Sequence, residues 1–315
     1  MRLTELLLLV FAAILIAVML RAVSDPLKAW FGLSAGLSLA FTVAAFALVF
    51  ALTTAAFGQE ISSQMGTLVE RLPEAQVVLL ASLREIGVSG EALDTLRNTL
   101  LGTVGTQLAG QLASSVASIA VALAFALVGG IYLAAQPSVY CEGVLRLVPP
   151  TYRGKSAATL TAIGQALRQW LLGQLVVMAF IGTLTGIGAW LIGLPSALAL
   201  GIMSGLLEFV PFVGPWLSVV PALILGFTVS PEAALLMLGW LFVVQQLEGY
   251  VVTPLVQKEV VSLPPALSLF SLVAAGALLG APGVALAVPL TVAAFVAVQI
   301  LVLPAMDGSE GGEER

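Results

Sequence analysis

An apolar run that no helix can traverse unbroken governs the reading of this chain. Residues 194–221 read LPSALALGIMSGLLEFVPFVGPWLSVVP, with one carboxylate, Glu208, followed by Pro211, Gly214 and Pro215. Proline has no N–H to donate and its ring clashes with the preceding turn, so a helix must stop near Pro211. Two half-helices of about a dozen residues are predicted to meet there, each shorter than the roughly 20 residues of a membrane span. Broken backbone at membrane depth survives only inside protein or beside a water-filled cavity. An ionisable side chain at such a break is a candidate functional group.

The setting is a membrane. The 315 residues are 60% hydrophobic and 9% charged, against about 25% charged in soluble domains. The chain has no histidine and one cysteine, Cys141, which removes Ser-His-Asp and Cys-His catalysis and His- or Cys-based metal clusters. No catalytic residue, metal site or cofactor is expected. The formal charge of −5 is spread without a basic block, so nucleic acid is not an expected partner. The fragment Gly154, Lys155, Ser156 resembles the end of a P-loop, but Pro149 stands where its first glycine belongs and no strand precedes it.

The predicted fold is an all-α, polytopic integral membrane protein with inverted repeats and two broken or re-entrant helical hairpins. Residues 1–58 form an N-terminal transmembrane pair, with spans at 3–20 and 34–57 and Pro26 as a break between them. Residues 59–112 carry charge and a thinner apolar stripe (Ile61, Met65, Leu68 and Leu72 on one face); they read as an amphipathic helical region outside the cytoplasm and a possible contact between copies. A span covers 113–135. A basic cytoplasmic loop follows at 136–168, with Arg146, Arg153, Lys155 and Arg168 placing it inside by the positive-inside rule. Residues 169–304 form the core, in halves 169–230 and 231–304, and 305–315 is an acidic, disordered tail. Gly182 and Gly186 form a G-x-x-x-G suited to close helix contact, and Gly201 and Gly205 are spaced for the same use.

The core halves echo each other. LPSALAL at 194–200 matches LPPALSL at 263–269. Each is followed by an apolar run, a proline–glycine break (Pro211 to Pro215; Pro282 and Gly283) and a Val-Pro pair. Loop charges make the preceding spans run in opposite directions, so the copies should be inverted, as in many secondary transporters.

Several segments carry a family resemblance: EFVPFVGPWLSVVPA, QQLEGYVVTPLVQ, GALLGAPGVALAVPL, RQWLLGQL and GIGAWLIGLP. Together they resemble the autoinducer-2 exporter (AI-2E) family of bacterial transporters. The match is dense over 130–303 and looser over 12–75. The resemblance implies an inner-membrane, multi-pass permease with a cytoplasmic C-terminus. It also implies either export of a small polar solute such as a quorum-sensing signal, or Na⁺(Li⁺)/H⁺ antiport. The family's usual pattern has a further hydrophobic helix ahead of the segment that 3–20 resembles, so one helix is expected to be missing here.

Glu208 and Glu248 are the expected proton- or ion-coupling groups. A carboxyl group in an apolar helix costs about 2.5–3.5 kcal/mol to insert, and it suits a group that takes a proton on one side and releases it on the other. Gln174, Gln245, Gln246, Thr253 and Pro254, with Pro211, Gly214 and Pro215, are the expected pathway residues. Expected partners are a small polar solute, H⁺ or Na⁺, the lipid bilayer and further copies of the chain. A reading of another class is a channel-like or scaffolding protein whose breaks are architectural; an intramembrane enzyme lacks a nucleophile–base pair.

Overall fold

In the computed structural model, residues 3–48, 107–257 and 263–301 are described, together with 84 and 89–91; of 107–120 and 265 only the backbone is. The expected amphipathic region 59–112 and the tail 305–315 therefore lie almost wholly outside the described residues, as do Lys258 and Glu259. Every regular element described is helical.

Helix α1 is Leu3–Phe31, α2 is Ala35–Leu48, α3 is Gln107–Ala135 and α4 is Pro137–Arg146. A short 3₁₀ turn, Pro150–Tyr152, precedes α5, Arg153–Ile192. Then come α6, Ala197–Leu207; α7, Gly214–Val229; and α8, Pro231–Leu247. A π-helical turn at Glu248–Val252 leads to α9, Thr253–Gln257, and the series ends with α10, Pro265–Leu301. Among the described residues, four stretches are long and apolar enough to cross a membrane: Leu3–Phe31, Pro150–Ile192, Pro231–Leu255 and Ala266–Leu301. No more than a third of the most apolar window in each is buried by protein. Side chains such as Trp190, Leu235, Phe242, Phe270 and Leu278 are left exposed. Apolar surface on this scale needs lipid as its solvent, and the chain is a polytopic membrane protein.

The chain divides into two compact units. One comprises Met1–Leu48, Ala122–Leu175 and Leu255–Arg315; the other comprises Val49–Val121 and Val176–Pro254. In the first, α1 does not break at Pro26 as expected but continues to Phe31. Pro26 cannot donate to Ala22 four residues back, and the Arg168 guanidinium donates to the Ala22 carbonyl instead, at 3.3 Å. Arg21 Nε donates to the Ala134 carbonyl in the last turn of α3, at 2.9 Å, and Lys155 Nζ to Leu301 at the end of α10, at 3.4 Å. Cations at helix C-termini satisfy orphan carbonyls and oppose the helix dipole. Gly129 and Gly130 let α3 approach α1: a Cβ on Gly130 would lie 2.6 Å from Ile16 Cγ2.

The polar stretch 136–168, expected as a loop, is largely helical. Its first part, α4, turns 88° from the end of α3, with Pro137 opening it and none of its residues buried. Its second part begins the 40-residue α5, about 60 Å long at 1.5 Å per residue. Helix propensity does not depend on hydropathy, and Ala, Leu, Lys and Arg all favour helix.

Candidate functional site

The second unit is built on two closures. At the first, Gly193 ends α5 with φ +80°; its N–H reaches Trp190 O and that of Leu194 reaches Ala189 O, the paired bonds of a Schellman stop. Helix α6 then runs back antiparallel to α5. A Cβ on Gly182 would lie 3.0 Å from Gly201 O and 3.3 Å from Gly205 Cα, and one on Gly201 would lie 2.6 Å from Gly182 O. The two G-x-x-x-G pairs singled out separately in the sequence pack against one another.

The second closure is the break. The N–H of Glu208 makes the last regular bond, to Ser204 O; those of Phe209 and Val210 tighten onto residues three back. Pro211 supplies no donor, and Phe212 turns the chain at φ +67°, a strained value for a bulky side chain. Gly214 then opens α7 hard against the end of α6: a Cβ there would sit 2.3 Å from Leu207 O and 2.8 Å from Glu208 Cα. Half-helices of 11 and 16 residues result. Their core joins Leu200, Ala222 and Leu225 to Ala189, Leu194, Met237 and Leu241. Trp240 is fixed across it by Nε1 donating to Leu184 O at 2.9 Å.

Glu208 sits at the end of α6 and is 2% exposed. Glu248, half-buried, sits where α8 gives way to the π-helical turn, and Gln245 Nε2 donates to its Oε2. Wider turns of this kind recur at functional sites. Here Thr253 N–H bonds to Glu248 O, five residues back, just ahead of Pro254, which has no N–H to give. Both acids belong to the second unit. The residues singled out as coupling groups thus fall in one unit, although 40 positions separate them in sequence. Glu208 stands at the C-terminus of α6, the pole that favours positive charge.

The expected pathway residues scatter more. Gln245 and Thr253 are half-buried, while Gln246 and Pro254 are exposed. Pro211 and Pro215 are half-buried at the break, and Gly214 is buried. Gln174 is buried on α5 within the first unit, as is Gly283 on α10. The break in α10 is not at Pro282 and Gly283 but at Gly280, with φ +70° and ψ −158°. Proline is at home in the first turn of a helix, so Pro282 starts the second half rather than ending the first. Gly283 lets the halves close, since a Cβ there would lie 2.4 Å from Leu279 Cβ.

Two further side chains were not singled out in the sequence. Thr185 on α5 and Ser204 on α6 are fully buried, and neither hydroxyl has a hydrogen-bond partner among the described residues.

Comparison with known proteins bears on this arrangement. The chain matches the family described as AI-2E family transporter over residues 1–303. It is 32% identical to YrrI of Bacillus subtilis strain 168 over 160 residues, 51% of this chain and 45% of YrrI. It is 36% identical to YueF of the same organism over 145 residues, 46% of this chain and 39% of YueF. A Thermotoga maritima relative is 34% identical over 119 residues, 37% of this chain and 36% of its own length. All three are named for transport, and the matched segments span less than half the length of each. A buried acid at a helix break, in a unit of apolar helices, is thus found in a chain that belongs to the AI-2E family of transporters.

Proposed function

We infer that this membrane transporter is a secondary permease that exports a small polar solute, such as a quorum-sensing signal, in exchange for H⁺ or Na⁺. The observation that carries the reading is Glu208, an acid 2% exposed at the break between two half-helices, with a second acid, Glu248, at the π-helical turn of the same unit. A buried acid can hold one positive charge, a proton or a metal cation, and exchanging that charge across the membrane is what coupling requires. The interrupted helices 197–229 and 265–301 support an inverted repeat: each is apolar and broken at one positive-φ residue, Phe212 or Gly280. Such repeats place sites at the bilayer midplane. The family resemblance supports an inner-membrane location with a cytoplasmic C-terminus.

Na⁺(Li⁺)/H⁺ antiport is the second reading, favoured by the same acid pair because it needs no solute cavity. Proteoliposome flux separates them. Solute movement that saturates and follows an imposed H⁺ or Na⁺ gradient supports the first; Na⁺-driven H⁺ movement without any solute supports the second. Flux that neither saturates nor responds to either gradient would leave a channel or scaffold.

A further inference from the structure

Serine and threonine hydroxyls in apolar helices normally fold back onto a carbonyl of their own helix. Thr42, Thr159, Thr228, Ser271 and Thr291 do so here, at 2.7–2.9 Å. So does Ser218, at the start of α7, to Pro215 O. Thr185 and Ser204 depart from this habit in the least solvated part of the second unit: both are 0% exposed, with no partner for either oxygen among the described residues. Leaving a buried hydroxyl unsatisfied is costly, so two on adjoining helices call for a ligand.

Their placement is set by the glycine crossing. Gly182 faces Gly201 and Gly205, while Gly186 faces Ala197 and Gly201, so α5 and α6 run antiparallel in fixed register. Thr185 immediately precedes Gly186, and Ser204 immediately precedes Gly205. In antiparallel helices the two hydroxyls then flank the same side of the crossing, about 6 Å apart along the axis at 1.5 Å per residue. Glu208 follows Ser204 on the same face, one turn on, at the α6 C-terminus whose dipole attracts cations.

We propose that Thr185, Ser204 and Glu208 line a binding site for a dehydrated monovalent cation, Na⁺ in preference to K⁺. The inference deepens the coupling reading above and rests on it for its purpose. Hard cations take oxygen ligands, and two neutral hydroxyls with one carboxylate present them with a single negative charge, which one monovalent ion neutralises. The glycine contacts hold the helices too close for a solute or a hydrated ion. The smaller alkali ions are favoured for the same reason.

The test uses the purified full chain in detergent and needs no transport. Apparent melting temperature is followed against NaCl, KCl and choline chloride at constant ionic strength, with equilibrium binding of radioactive Na⁺ alongside. The expected result is a saturable rise with Na⁺ that K⁺ and choline do not reproduce, and about one Na⁺ bound per chain. Thr185→Val and Ser204→Ala should each weaken the apparent Na⁺ affinity at least tenfold. Without Na⁺ they should melt at or above the wild-type temperature, because each removes an unsatisfied hydroxyl. Wild-type protein that binds no Na⁺, or variants that titrate like wild type, would overturn the site. Na⁺ binding without gradient-driven flux would instead defeat the coupling reading and leave the site standing. Flux driven by a pH gradient alone, with no Na⁺ bound, would do the reverse.

Discussion

Arg168 is the residue whose role the structure changes most. Its charge reads as a topological marker in the sequence, yet it donates to the carbonyl that Pro26 leaves without a helical partner. Arg168→Met keeps the bulk and removes the donor. It should lower stability by about 1–3 kcal/mol, the cost of an unsatisfied buried carbonyl, seen as a lower melting temperature in detergent; unchanged melting would mean that water replaces the guanidinium. Arg21 also pairs with Asp25, at 3.4 Å and largely in the open, where an ion pair contributes little. At the site itself, Glu248→Gln keeps an amide within reach of Gln245 but removes the second acid. Proton-linked flux should fall at least tenfold while expression and melting stay near wild type. Both acids were legible in the sequence, because charge in an apolar run is conspicuous. Thr185 and Ser204 were not, since whether a hydroxyl folds back on its own helix depends on packing that spacing does not encode.

Among elements, proline position was the most informative signal and also the most ambiguous. Pro211 ends a helix where expected, because the residues before it are already helical and the ring blocks the next turn. Pro282 begins one, and the break moves back to Gly280, whose φ and ψ fall in a region essentially reserved for glycine. Gly280→Ala should therefore cost about 1–3 kcal/mol, whereas Pro282→Ala should cost less; the opposite order in melting temperature would return the break to the proline. The glycine crossing gives a second contrast. Gly201→Ala drives a methyl to 2.6 Å from Gly182 O and should part α5 from α6, lowering stability. Gly36→Ala on α2 meets open space and should raise it by about 0.5–1 kcal/mol. The G-x-x-x-G spacing was readable in advance on both helices; that the two pairs meet follows only from the turn at Gly193.

For the molecule as a whole, hydropathy settled the solvent, and the exposed apolar side chains agree with it. Trp216, just past the break, is 77% exposed, while Trp240 is half-buried and hydrogen-bonded to Leu184 O. In single-tryptophan variants, lipids brominated along the acyl chain should quench Trp216 strongly and Trp240 weakly. Equal quenching would show that the packing around Trp240 is looser than described. The segment 136–168, a basic connection between spans in the sequence, is largely helical, because a helix that leaves the bilayer can carry charges freely.

The coupling role of Glu208 is tested most directly by proteoliposome flux under imposed H⁺ and Na⁺ gradients, comparing wild type with Glu208→Gln. The variant keeps the size and hydrogen-bonding capacity of the side chain at the end of α6 and removes only its charge. Gradient-driven flux should vanish while the purified variant melts as a single folded species. Flux in the variant at wild-type rate and with wild-type dependence on the gradient would contradict the account.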